Sequence, residues 1–278
     1  MTPKRTPAAW LLSLALLAVL LTGWQLAVQG GAGPAVTDSE YARLMGTSAS
    51  NGSAIPGPLA VAARLTELLA HPFYDHGAND KGIGTQLFFS LMRVLAGFGL
   101  AMLVAIPLGF LIGLHETLGR ALNPFIQVLK PISPLAWMPL ALYTIRDSGR
   151  SAIFVIFICS VWPMLLNTAF GVAGVRREWI NVARTLEVGP ARRAFHVILP
   201  AAAPTILTGM RISIGISWLV IVAAEMLVGG TGIGYFIWNQ WNNLSITDIV
   251  VGILLVGFTG MLLDQLLSWA ASAVAWRE

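Results

Sequence analysis

Arg93, Lys130, Arg211 and Glu225 stand inside or beside long apolar runs, where hydrocarbon rather than water would surround them. A charge at the centre of a bilayer costs about 2.5–3.5 kcal/mol on insertion scales, so each of them needs a partner or a task. The task that suits the cations is to offer donors to an anion crossing the membrane. Arg211 heads that set, Lys130 follows, and Arg93, Trp218 and Glu225 complete the candidates for a path. Arg211 lies about eight residues, roughly 12 Å, into its run, and Glu225 about 21 Å further on, so the two cannot pair within one helix. Arg211 fits snorkelling to the cytoplasmic interface equally well. Glu225, near the outer mouth, would repel an anion and reads as a gate or a helix-end partner.

Other chemistries find no footing. His71, His76, His115 and His196 all fall in expected loops, with no nucleophile placed near them. The cluster from Gly229 to Gly234 is not followed by Lys-Ser or Lys-Thr, which a phosphate-binding loop requires. It reads as a helix break that lets Tyr235 to Trp241 fold back at the membrane surface, with an anion-binding nest of amides as the alternative. Cys159 is the single cysteine, so neither an intrachain disulfide nor a thiolate cluster is available; it reads as a small buried hydrophobe. No metal and no cofactor are expected, the weaker alternative being an ion held by His71, Asp75, His76 and Asp80. Basic residues are not gathered on a soluble face, which argues against nucleic acid.

The elements that must position these residues follow from composition. Of 278 residues, 56% are hydrophobic and 11% charged, against about 25% charged in soluble domains. Six apolar runs are long enough for a hydrocarbon core of ~30 Å: 8–28, 84–114, 122–145, 151–174, 203–228 and 248–275. The first is longer than the ~7–15 residues of a signal core and is expected to be retained. With the N-terminus inside, Lys4, Arg5, Arg120, Arg176, Arg177, Arg184, Arg192, Arg193 and Arg277 are cytoplasmic, whereas Arg43, Arg64, Lys81, Arg146 and Arg150 lie outside. Nine against five favours that orientation.

Residues 1–83 divide into a transmembrane helix, a Gly/Ser/Ala-rich linker and an interfacial helix opened by Pro58, with Leu65, Leu68 and Leu69 on one face and Arg64 and Glu67 elsewhere. The turn-rich stretch Pro72 to Gly82 offers Tyr74, Asp75, Asp80 and Lys81 at the outer face, either to dock a partner or as a solvated loop. Residues 84–278 hold the other five spans. Within them Gly109 and Gly113, preceded by Pro107, predict a close helix crossing.

Between the fourth and fifth spans a polar, arginine-bearing segment near 176–200 carries Asn181, Val182, Ala183, Arg184, Leu186, Glu187 and Gly189 and ends on Ile198-Leu199-Pro200. It resembles the cytoplasmic coupling loop of the binding-protein-dependent inner-membrane permeases of ATP-binding-cassette (ABC) importers, and the likeness covers nearly the whole chain. That family's loop reads Glu-Ala-Ala, a short spacer, Gly, and later an Ile-x-Leu-Pro ending. Ala183, Ile198, Leu199 and Pro200 keep the register, while Asn181 stands where the family has Glu, and Glu187 where it usually has Gly. Pro72 to Asp75 with Asn79 to Gly82, Pro131 to Pro139 and Val222 to Met226 resemble the nitrate branch more narrowly.

The resemblance implies an all-α, polytopic inner-membrane protein with six transmembrane helices and the type I ABC importer permease fold. It implies a homodimer that forms the pore, two cytoplasmic ATP-binding-cassette ATPase subunits on the coupling residues, a periplasmic or lipid-anchored substrate-binding protein outside, and surrounding membrane lipid. Nitrate or nitrite is the substrate it suggests first, with bicarbonate, cyanate or sulfonate/taurine as alternatives. A secondary transporter or a membrane scaffold without transport is a more distant reading. Catalysis is not expected of this chain itself.

Overall fold

A computed structural model describes residues 7–30, 55–77 and 79–274. In chain order its helices are α1 (Pro7–Gly30), α2 (Pro58–Ala70), α3 (Ile83–Leu114), α4 (Glu116–Leu129), α5 (Pro134–Ile145), α6 (Ser148–Ala173), α7 (Arg177–Thr185), α8 (Pro190–Arg193), α9 (Leu199–Val228), α10 (Ile233–Asn242) and α11 (Ile246–Val274). Five helical stretches are long and apolar enough to cross a membrane, and α4 with α5 makes a sixth crossing only as a pair bent by 90°.

That bend corrects the expectation of one continuous helix over 122–145. Pro131 brings no N–H to the helical ladder and Pro134 sits at a first helical turn, so α4 stops at Leu129 and a new helix starts beyond Ser133. The fifth span is also longer than expected. Helix runs from Pro190 through a π-helical turn at Ala194–Ile198 into α9, 39 residues in all. At 1.5 Å per residue this rod is about 58 Å long, nearly twice a ~30 Å hydrocarbon core. Hydropathy marks only the part immersed in lipid, and His196, expected in a loop, is part of the helical rod.

The centre of the bundle is α6, with α3 on one side and α9 on the other. Val94, Ala101 and Ala105 of α3, Ile156, Met164 and Leu165 of α6, and Ile214 and Ile221 of α9 are buried together. The α3–α6 contact depends on small residues: a Cβ at Gly109 would sit 2.6 Å from the Leu165 carbonyl, and one at Gly113 would sit 2.6 Å from Val172 Cβ. In lipid, where apolar surface alone gives helices little reason to associate, such backbone approach and interhelical hydrogen bonds do the holding. Across α6 and α9 the bonds are Ser160 Oγ to Ser217 Oγ at 2.6 Å and Ser213 Oγ donating to the Ser160 carbonyl at 2.8 Å.

The interfacial helix α2 turns Val61, Leu65 and Leu68 toward the bundle, while Leu69, expected on that face, is half exposed. Arg64 of α2 reaches α11, its Nε 2.6 Å from Asp248, and it also bonds Glu67 at 2.7 Å. Both carboxylates stabilise the guanidinium and raise its pKa above the ordinary value. By contrast, most described side chains of α1 are exposed; Trp24, Gln25 and Val28 are half-buried, and Trp24 packs against the core.

Gly109→Ala places a methyl against backbone that cannot move aside and is expected to cost about 1–3 kcal/mol. Gly99→Ala, whose Cβ meets nothing within 4 Å, is expected to be neutral; thermal unfolding of the two purified variants beside wild type checks the contrast.

Candidate functional site

At the outer end of the bundle, Gln86, Ser90 and Arg93 lie on one face of α3 and meet the last turn of α9. Glu225 is only 3% exposed, yet its carboxylate is fully engaged. Arg93 Nη1 donates to it at 2.7 Å, Ser90 Oγ at 2.7 Å and the Gly234 amide at 3.1 Å. The same side chains hold the glycine turn that links α9 to α10. Arg93 donates to the Thr231 carbonyl at 2.5 Å, the Gly232 amide donates to Gln86 at 2.6 Å, and the Ile233 amide donates to Ser90 at 2.9 Å. A side chain at Gly232 would collide with the Glu225 carboxylate, which explains a glycine there. Arg93 and Glu225 therefore act as a strut across α3, α9 and the turn. Neither offers its charge to a path in this conformation, and Glu225 is the helix-end partner.

Lower in the bundle, Arg211 does not offer free donors either. Its Nε and Nη2 both bond the Asp264 carboxylate of α11, the latter at 2.5 Å, in the two-pronged geometry that suits arginine. Both side chains are 46% exposed. The compensating charge comes from α11. Trp218, the other path candidate of α9, is 5% exposed and donates its indole N–H to the Val256 carbonyl at 2.9 Å. It packs between α9 and α11. Lys130, at the α4–α5 break, has no carboxylate partner among the described residues and lines an open cleft of ≈ 250 Å³.

The outer loop is a small hairpin seated on α10. Asp75 and Lys81 pair across it, Gly82 N–H bonds the Tyr74 carbonyl at 2.7 Å, and Lys81 Nζ lies 3.2 Å from Asp75. Hydrogen bonds from the Gly77 amide and then Lys81 hold the Asp75 carboxyl below its usual pKa. Burial, followed by a hydrogen bond with Asp80, raises that of Tyr74. Asn79 joins the loop to α10, accepting from Tyr235 Oη at 2.7 Å and from Asn239 at 3.1 Å. Lys81 and His76 engage the two aspartates, and no group of three or more His, Cys, Asp or Glu is placed for a metal among the described residues.

The cytoplasmic segment is α7 followed by a Schellman ending, with Val188 N–H bonding the Ala183 carbonyl at 3.0 Å and Glu187 N–H the Arg184 carbonyl at 2.9 Å. That ending needs a left-handed residue, and Glu187 supplies it at φ 54°. An L side chain costs about 1–2 kcal/mol there, which explains the preference for glycine at this position in the resembling loops. Ile180 turns inward to seat α7 on Val175, Ile198 and the start of α9, and Ala183 is buried on the same helix. Trp179, Val182 and Leu186 face outward, exposed by 43%, 59% and 71%, with Asn181, Arg184, Glu187 and Gly189 around them. Ile180 thus fixes the helix to its own chain, while Val182 and Leu186 present a surface.

Asp264, Asp248, Gln86 and Ser90 were not singled out from the sequence. A signal existed for each: Gln86, Ser90 and Arg93 recur at helical spacing, and a carboxylate inside an apolar run has the same need of a partner as a cation.

Residues 105–277 match the family described as binding-protein-dependent transport system inner membrane component. The chain is 42% identical over 262 residues, 94% of its own length and 88% of the relative's, to the nitrate import permease protein NrtB of Synechocystis sp.. It is 44% identical over 225 residues, 80% of its length and 81% of the relative's, to the bicarbonate transport system permease protein CmpB of Synechococcus elongatus. Among solved structures, an inward-facing MetNI methionine ABC transporter matches with a TM-score of 0.60 at 16% identity, over 68% of this chain and 94% of that one.

Arg93→Met leaves a buried carboxylate without its cation and is expected to cost about 3–5 kcal/mol. Thermal unfolding should show a smaller loss for Arg93→Met with Glu225→Gln than for Arg93→Met alone; additive losses would deny the strut.

Proposed function

The chain belongs to the binding-protein-dependent transport system inner membrane component family, so it is a multi-pass inner-membrane protein with the type I importer permease fold, and we propose that it is the permease subunit of an ABC importer carrying nitrate. The observation that carries the importer reading is the exposed Trp179–Val182–Leu186 face on α7, at the end of a rod too long to be wholly immersed. A soluble apolar face rimmed by Asn181 and Arg184 suits a partner that grips it. In this reading, two ATPase subunits take that face in a groove, and their closure on ATP displaces the segment 178–192. The seat of Ile180 passes the displacement to α9, and the spans turn between inward- and outward-facing states as rigid bodies.

The nitrate reading is supported by one nitrate permease whose likeness extends over 94% of the chain, while another nitrate permease covers 80% of it, as a bicarbonate permease does. The outer hairpin with Tyr74, Asp75, Asp80 and Lys81, braced by Asn79 on α10, is the proposed seat for a substrate-binding protein. A second copy of the chain completes the pore. The half-exposed Arg211–Asp264 pair supports that assembly, since hydrocarbon is a poor neighbour for two charges, whereas another subunit or a watery passage is a good one.

The test is ATP-dependent uptake in cells lacking the chain and restored with it, measured for nitrate, bicarbonate, cyanate and taurine at low external concentration. Restoration of nitrate uptake is expected, with a Leu186→Asp chain reaching the membrane but restoring less than a tenth of it. Restoration of another anion alone overturns the substrate, and restoration of none overturns the importer reading.

A further inference from the structure

We propose that the cleft at the α4–α5 break is an anion subsite, in which Lys130 supplies the charge for a small oxyanion. The inference deepens the importer reading and rests on it for its physiological role. It starts from where the break lies. Cys159 and Pro163 line the same cleft and stand roughly 17 and 23 Å along α6 from its outer end, at 1.5 Å per residue. Ile216, from the middle of α9, closes the other side. The break is therefore at hydrocarbon depth, and irregular backbone is tolerated there only when protein buries it or when it lines a watery cavity. Lys130, Pro131 and Ser133 are exposed in the single chain, so this chain does not bury it.

The full charge carried by the lining side chains is positive. Lys130 contributes three N–H donors, Trp137 and Trp162 an indole N–H each, and Ser133 a hydroxyl. No carboxylate takes part in the lining. Neither indole N–H nor the Lys130 ammonium is hydrogen-bonded among the described residues, whereas Arg93 and Arg211 are each paired with a carboxylate. Lys130 lies at the C-terminal end of α4, where a cation also complements the last carbonyls. A volume of ≈ 250 Å³ holds a small oxyanion with several waters, each water taking about 30 Å³. A single point charge in an open, wet cleft binds weakly, which is what passage requires, because an ion held tightly is not released.

The chain carries its own reporter, since Cys159 is its one cysteine and lines the cleft. The purified complex with its ATPase subunits, in lipid nanodiscs, is exposed to a methanethiosulfonate reagent bearing either an ethylsulfonate or an ethyltrimethylammonium group. Attack by the Cys159 sulfur forms a mixed disulfide and releases methanesulfinate, and the intact mass of the permease chain counts the product. Two unit charges about 4 Å apart differ enough even in bulk water for the anionic reagent to react at least about tenfold faster than the cationic one. Nitrate at constant ionic strength is expected to slow the anionic reaction, and Lys130→Met, or Lys130→Gln should the first variant misfold, to bring the two rates within about threefold of each other. Equal rates in wild type, faster cationic labelling, or no labelling by either reagent overturns the subsite. None of these readings requires transport, so an uptake assay that fails for every anion tells against the importer reading without being mistaken for failure of the subsite.

Discussion

Hydrocarbon supplies no hydrogen-bond partner, and this single constraint decides which polar residues the bundle tolerates and where. Within the spans, Glu225 is matched by Arg93, and Arg211 by Asp264. At the outer boundary Asp248 is matched by Arg64. Each pair joins different helices, so compensation of charge also fixes architecture: α3 to α9, α9 to α11, and the interfacial helix α2 to α11. The Gly109 and Gly113 contacts and the serine bonds between α6 and α9 follow from the same condition, because helices in lipid need close backbone contact or shared hydrogen bonds to stay together.

The pairs also divide the molecule by task. At the outer end, Arg93 and Glu225 are occupied in shaping the glycine turn, on which α10 and the Asn79 hairpin are seated. At the inner end, charge is left to water, and α7 instead shows apolar side chains. The apolar face of α7 and the Lys130 head, which has no carboxylate partner among the described residues, are both departures from what local rules lead one to expect. Residues that violate local rules without a partner in the chain are those to which function is most reasonably assigned.

Much of this was legible beforehand. Composition and run length fixed the class and the number of crossings, and Gly109 with Gly113 foretold a crossing that the structure places against α6. The departure at Glu187 became intelligible only as a backbone conformation, because sequence shows an unusual residue but not the φ of 54° that makes it unusual. Pairings were not legible, since Arg93 and Glu225 are separated by 132 residues, and Arg211 and Asp264 by 53. The break at Pro131 was lost because hydropathy averages over proline, and the cytoplasmic extension of α9 because hydropathy reports lipid contact rather than helix length.

The most direct test of compensation as the organising constraint is a charge exchange in the second span pair. Arg211→Asp, Asp264→Arg and the exchange of both are compared by the yield of monodisperse chain extracted from membranes and by its thermal midpoint. Each single variant is expected to lose most of the folded chain, having two like charges where one pair stood, and the exchange to recover at least half of that loss. An exchange no better than the worse single variant would contradict the account, because it would mean that the pair serves some requirement other than mutual neutralisation.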